Sequence, residues 1–275
     1  MGDVLLRVES VSKSFGEVEA LRDVDIELRR GEIVGLVGGN GAGKTTLLRL
    51  LCGVYRPSVG RVAFMVDGKE EPVDQVRERL GVVPEATGLY HRLTAWENIR
   101  YHTRIHGRSD KASWARTLRF ARALDIEDEL HRSTRGFSRG MRQKIALIRA
   151  VAHGPDLLLL DEPTAGLDVT SARKVRGLVR SLGDEGGTVI YSTHMLSEAQ
   201  RICDRILIIH NGTVRADGSP DDLLKSTGTA DLEDAYIALT QDVSRMNRQE
   251  EESGLSRWWL KLSMRGKKSN LGEEE

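Results

Sequence analysis

Cysteine is scarce, with only Cys52 and Cys203 among 275 residues, far apart and without metal-like spacing. That excludes a disulfide framework and leaves no zinc-binding pattern, so a reducing compartment is the expected setting. Net charge is lacking too, because 41 Lys and Arg balance 41 Asp and Glu. Nothing global therefore argues for nucleic acid or an anionic surface as a partner. Long apolar runs are missing: the longest aliphatic stretches, such as Leu157 to Leu160 and Ile206 to Ile209, span four residues, where a spanning helix needs about 20. The segment Met1 to Arg7 has no basic stretch leading into an apolar core. Neither a signal peptide nor a membrane span is expected, and any membrane association should be peripheral or through another protein.

What is present begins with strands. Val4 to Val8, Val24 to Leu28, Ile33 to Val37 and Val62 to Val66 read as short strands between turn signals at Phe15-Gly16, Arg30-Gly31 and Asp67-Gly68. From about Thr94 to Leu130 the pattern becomes helical, with Trp96, Ile99 and Ile105, then Trp114, Leu118 and Ala121, at helical intervals. This predicts an inserted helical subdomain. A further helix after Met141 leads into Leu157 to Leu160, a strand buried on both faces, and Thr188 to Tyr191 and Ile206 to Ile209 supply two more. Alternating strand and helix imply an α/β fold with a parallel sheet. The expected boundaries are a main α/β domain over 1–225, with the helical insert at about 90–150, and a helical extension and charged tail over 226–275.

Gly38-Gly39-Asn40-Gly41-Ala42-Gly43-Lys44-Thr45 has the spacing glycine, four residues, glycine, lysine, Ser/Thr, after a strand and before the helix Thr45 to Cys52. Its glycines let consecutive backbone N–H groups turn toward phosphate oxygens, and the helix N-terminus adds partial positive charge. The whole loop, Gly38 to Thr46, is expected to hold ATP, with Lys44 on the β- and γ-phosphates and the Thr45 hydroxyl on Mg²⁺. The strand Leu157 to Leu160 ends in Asp161-Glu162, at the sheet edge where ligands bind in α/β folds. Asp161 suits Mg²⁺ coordination through water, and Glu162 suits orienting or deprotonating the attacking water.

Beyond these, Asp161-Glu162-Pro163-Thr164-Ala165-Gly166-Leu167-Asp168 is similar to the Walker B and D-loop of ATP-binding cassette ATPases. Phe137-Ser138-Arg139-Gly140-Met141-Arg142-Gln143-Lys144 resembles their signature motif, and Ser192-Thr193-His194 their switch histidine loop. The elements follow the family's order from about Val4 to Leu224. The resemblance implies a P-loop NTPase with a RecA-like parallel-sheet core, an antiparallel β subdomain and a helical insert. It also implies that Phe15 stacks on adenine, that His194 contacts the γ-phosphate, and that Ser138 and Gly140 contact ATP held by a second subunit. On the residues alone, Phe15 also reads as a core aromatic, His194 as a helix-start histidine and Ser138 as an N-cap.

With one phosphate loop and one signature, the chain is expected to pair head to tail, as a homodimer or with a paralogue, around two ATP molecules. Arg139 and Met141 replace a usual glycine and glutamine of the signature, Gly39 stands where proline is common, and Glu85 occupies the usual Q-loop glutamine position, where its carboxylate can still meet Mg²⁺ or water. These departures, with Val82-Val83-Pro84-Glu85-Ala86-Thr87-Gly88-Leu89-Tyr90 and Leu232-Glu233-Asp234-Ala235-Tyr236, resemble the branch that energises ABC-2-type exporters, including sodium-extruding and drug-resistance systems. The implied protein is a cytoplasmic ATPase, peripheral on the inner face of the membrane and docked on a separate polytopic permease. The alternative is a soluble non-transport ATPase of the same family, such as a cluster-assembly ATPase. A GTPase is disfavoured because no Asn-Lys-x-Asp motif occurs.

Two charge features stand apart. Arg100 to Lys144 holds 12 Lys or Arg against five Asp or Glu, which reads either as solvated helix faces or as a surface for a membrane partner or anionic headgroups. Leu255, Trp258, Trp259 and Leu262 fall at helical spacing among basic residues, fitting an interfacial amphipathic helix or packing against protein.

Overall fold

Ile33–Val37 is buried at all five positions, as is Leu157–Asp161, and strands buried on both faces belong inside a parallel sheet covered by helices. The structure, a computed structural model, describes residues 3–241. Two sheets carry the fold. The first is antiparallel, in the order β2-β1-β4-β5, from β1 (Val4–Phe15), β2 (Val18–Arg29), β4 (Val59–Val66) and β5 (Lys69–Pro72). Asp67 and Gly68, both at positive φ, turn β4 into β5 with the handedness that matches strand twist.

The second sheet runs β10-β9-β3-β8-β7-β6, from β3 (Ile33–Val37), β6 (Leu80–Val83), β7 (Leu157–Asp161), β8 (Thr188–Thr193), β9 (Arg205–His210) and β10 (Thr213–Gly218). All neighbours are parallel except β10, which pairs antiparallel with β9 at the edge. Val37 pairs with Thr193, and Asp161 with Ser192. The last residues of β3, β8 and β7 therefore lie side by side, and the segments that follow them leave from one sheet edge.

The seven helices with named bounds are α1 (Lys44–Leu51), α2 (Ala95–Ile105), α3 (Asp110–Ala123), α4 (Arg139–Val151), α5 (Val169–Asp184), α6 (Leu196–Ile202) and α7 (Pro220–Thr227). Between β6 and β7, α2, α3 and α4 form the helical insert. A capping box starts α2: Thr94 Oγ1 accepts from Glu97 N, while the Glu97 carboxylate accepts from Thr94 N. Trp96 and Trp114 meet edge to face at 4.7 Å between ring centroids. Ile99 is buried, but Ile105 is 65% exposed, because six residues from Ile99 is not a whole number of helical turns. Much of the insert's positive charge is paired on its own surface, through Arg100 and Arg104 with Asp110, Arg122 with Glu127 and Arg132 with Glu129.

Three strands, β5, β6 and β10, went unmarked by sequence pattern. In β6, Gly81 interrupts the apolar run, and a Cβ there would lie 2.4 Å from the Ala150 carbonyl oxygen. The glycine is needed for close approach of α4 to the sheet.

By contact pattern the chain divides into residues 1–223 and 224–275. In the second unit, residues 232–241 are helical, and Asp231 Oδ1 accepts from Glu233 N and Asp234 N, both at 2.9 Å. The Leu232 to Tyr236 segment thus begins a capped helix. The tryptophan-containing basic stretch lies outside the described residues.

Candidate nucleotide site

The loop after β3 enters α1 through Gly43, in the left-handed region at φ 110°, a backbone state natural only to glycine. A Cβ on Gly38 would meet the Ile209 carbonyl oxygen at 2.4 Å, so Gly38 is also held by contact with β9. The loop borders a cavity of about 450 Å³ lined by Gly39, Asn40, Gly41, Ala42, Gly43, Lys44, Thr45 and Thr46, with Ala20, Glu85, Glu162, Ala165 and His194. Side chains from β7 and β8 thus meet a loop from β3, as the strand order requires.

Lys44 is buried at 7% exposure. Its ammonium donates to Gly38 O at 2.7 Å and Gly39 O at 3.2 Å and stands 3.5 Å from Glu162 Oε1. Glu162 Oε2 lies 2.9 Å from His194 Nδ1. One carboxylate is therefore gripped by the phosphate-loop lysine on one side and the switch histidine on the other. Glu162 itself sits at φ +49°, a strained state for a residue with a Cβ, and its N–H donates to Ser192 O at 3.2 Å. Strain of this kind concentrates where a side chain must be aimed.

Thr45 Oγ1 donates to Asp161 Oδ2 at 2.8 Å, and Asp161 Oδ1 is buried with no hydrogen-bond partner. A hydroxyl beside an unsatisfied carboxylate oxygen is a hard-oxygen donor set of the kind Mg²⁺ prefers, and Glu85 adds a further carboxylate to the cavity wall.

Other expected residues lie elsewhere. Phe15 is 43% exposed, edge to face with Tyr55 at 5.2 Å and under the Lys13 ammonium at 5.0 Å. It is not a core aromatic. Ser138 Oγ accepts from Met141 N at 3.2 Å and caps α4, and Gly140 lies in that helix's first turn. Neither borders the cavity. Arg139 covers the D-loop: a Cβ on Gly166 would lie 2.5 Å from its guanidinium.

A buried network went unread in the sequence. Thr164 Oγ1, Tyr191 Oη and Arg176 Nη1 converge on Glu198 at 2.7, 3.1 and 2.5 Å. This ties the segment after Glu162 to the helix after His194. Its one signal is Glu198 beside Ala199 and Ile202, an acid on the buried face of α6. Ala20 and Ala165 also line the cavity without a chemical signature.

Known proteins resemble this chain over most of its length. The family model described as ABC transporter matches residues 21–165. The ABC transporter ATP-binding protein NatA of Bacillus subtilis is 40% identical over 80% of this chain and 90% of its own. The Nod factor export ATP-binding protein I of Cupriavidus pinatubonensis is 36% identical over 84% and 71%. Among solved structures, an ATP-binding subunit of an ABC transporter superposes with a TM-score of 0.79 at 32% identity, covering 86% of this chain and 99% of that one. A dimeric ATP-binding cassette in a post-hydrolysis state with ADP and phosphate gives 0.71 at 26%, covering 78% and 98%. Identity at these levels across most of both chains, on a fold that places the carboxylate pair against the phosphate loop, makes this chain an ATP-hydrolysing subunit of the ABC transporter family.

Proposed function

We propose that this chain drives an ABC-2-type exporter, hydrolysing ATP at two shared sites of a head-to-tail dimer docked on the cytoplasmic face of a separate polytopic permease. The observation that carries the catalytic part is the Lys44–Glu162–His194 contact. An arriving triphosphate offers Lys44 stronger acceptors than the carbonyls of Gly38 and Gly39. Release of Lys44 frees Glu162 Oε1 for the attacking water, while His194 keeps the carboxylate aimed and reaches the γ-phosphate. Thr45 and Asp161 would hold Mg²⁺, which supplies charge neutralisation at the phosphates. Phe15 would stack on adenine.

Ser138 and Gly140 are remote from their own cavity, which fits a role at the site of a second chain, and the dimeric cassettes among the structural neighbours support that pairing. Glu85 borders both the nucleotide cavity and an adjoining cavity lined by Arg139, Arg142 and Gln143, so it is suited to pass nucleotide state to a partner docked there. Among the described residues no helix is long and apolar enough to cross a membrane, which fits a permease carried on a separate chain. Export follows the relatives, whose names include Nod factor export and multidrug transport. Copurification tests it: the chain, expressed with its genomic neighbours, should carry a polytopic membrane protein through detergent purification. Isolation with cluster-assembly proteins alone would overturn export.

A further inference from the structure

Three of the seven histidines, His102, His106 and His153, gather away from the nucleotide cavity. One ring nitrogen of each lies within 4.8 Å of the others. His102 and His106 are four residues apart at the end of α2, the spacing by which one helix face presents two imidazoles to one metal. His153 follows α4 and is 2% exposed.

The tautomer of His153 is set by its surroundings. Its Nε2 lies 3.1 Å from the Leu80 carbonyl oxygen, which can only accept, so Nε2 carries the proton and Nδ1 keeps a lone pair. That Nδ1 is buried without a hydrogen-bond partner, and so is His102 Nδ1. Unpaired buried nitrogens are costly, and an imidazole whose far N–H is held by a backbone carbonyl is the usual arrangement around a bound metal. Burial holds His102 and His153 well below the ordinary histidine range, to about 3 and about 4, so both rings are neutral ligands at neutral pH.

We propose that His102, His106 and His153 form a binding site for a borderline divalent transition cation of the Zn²⁺ class, distinct from the Mg²⁺ position of the nucleotide site. Neutral imidazoles select such ions over Mg²⁺ and Ca²⁺, and three leave a fourth position for water. The His106 and His153 rings stack at 4.1 Å and 14°, so binding requires the His106 ring to turn. It is half-buried at the C-cap of α2, and its outer torsion is soft. Nearby Arg108, Arg116 and Arg149 oppose a cation electrostatically, whereas Glu78 favours one at His106. Affinity should therefore be moderate. An occupied site would staple α2 of the insert to the end of α4 and, through Leu80, to β6.

The test is Co²⁺ titration of the full, chelator-stripped protein, read by the visible absorption of tetrahedral cobalt, with and without saturating Mg-ATP and in His106→Ala. One Co²⁺ per chain is expected, displaced by Zn²⁺, unaffected by Mg-ATP and weakened about tenfold or more in the variant. His106 is only half-buried, so the variant should fold, and circular dichroism confirms it. Zn²⁺ should raise the melting temperature of the wild type but not of the variant. Absence of the cobalt band, its loss on adding Mg-ATP, or equal binding by a folded His106→Ala would overturn the site.

Discussion

Glu162 is asked to aim at a water, and its contacts with Lys44 and His194 account for that. Replacing it by Gln keeps the shape and the phosphate contacts but removes the base. Turnover should fall about 10²- to 10⁴-fold while ATP binding persists, and a closed dimer should accumulate. A phosphate-release assay with gel filtration in ATP checks both; unimpaired turnover would remove Glu162 from catalysis. Lys44→Ala should instead lower nucleotide affinity itself, measurable by equilibrium binding. Glu198 lies outside the chemistry yet is costly to lose, because its side chain is 6% exposed and that of its partner Arg176 19%. Glu198→Ala leaves a largely buried cation unpaired and should destabilise by about 3–5 kcal/mol in urea unfolding. The phosphate-loop residues and Glu162 were legible because motif spacing carries their chemistry. Glu198 was not, since Thr164 and Arg176 reach it from 34 and 22 residues away and Tyr191 from the neighbouring strand.

At the scale of elements, the sheet is built so that β3, β8 and β7 deliver the loop, the histidine and the carboxylates to one edge. Leu157 to Leu160 are each 3% exposed or less, and burying a leucine side chain is worth about 2 kcal/mol, so β7 is a stiff support for the residue that must be aimed. The weakest element in sequence, β6, depends on Gly81. Gly81→Ala would drive a Cβ against the Ala150 backbone and should cost about 1–3 kcal/mol, read as a lower urea midpoint with an unchanged slope. Strands such as β3 and β7 were plain from continuous apolar runs. β5 and β10 were not, because Lys69–Pro72 and Thr213–Gly218 are polar or half-buried and exist by pairing with a neighbour.

For the whole molecule, two properties can be measured without a permease. If each ATP site borrows Ser138 and Gly140 from a second chain, mixing inactive Lys44→Ala with inactive Ser138→Arg should restore turnover. Each mixed dimer keeps one intact site, so random pairing should return roughly a quarter of wild-type activity. No recovery would argue against self-pairing. The second property is pH. His102 and His153 titrate lower in the folded chain than in the unfolded one, so in this range the unfolded state binds more protons. Their contribution is fully present above the unfolded value of about 6.5 and is lost as pH falls below it. Thermal melts in chelator should therefore show stability falling from about pH 6.5 downward, less steeply in His102→Asn. An equal slope in that variant would show that His102 is not a source of the loss.

The sequence by itself determined the chemistry: phosphate cradle, hydroxyl, carboxylate pair and histidine are local patterns, each complete within a few residues, and their order along the chain pointed to the family. The tertiary structure decided what those groups do to one another. That Lys44 and His194 hold the same carboxylate, that Thr45 meets Asp161, that Ser138 stands apart from its own cavity, and that three histidines converge where α2 and α4 end all follow from strand order and helix packing. Contacts across 116 or 32 residues are fixed by which strands lie side by side, and no local spacing encodes that.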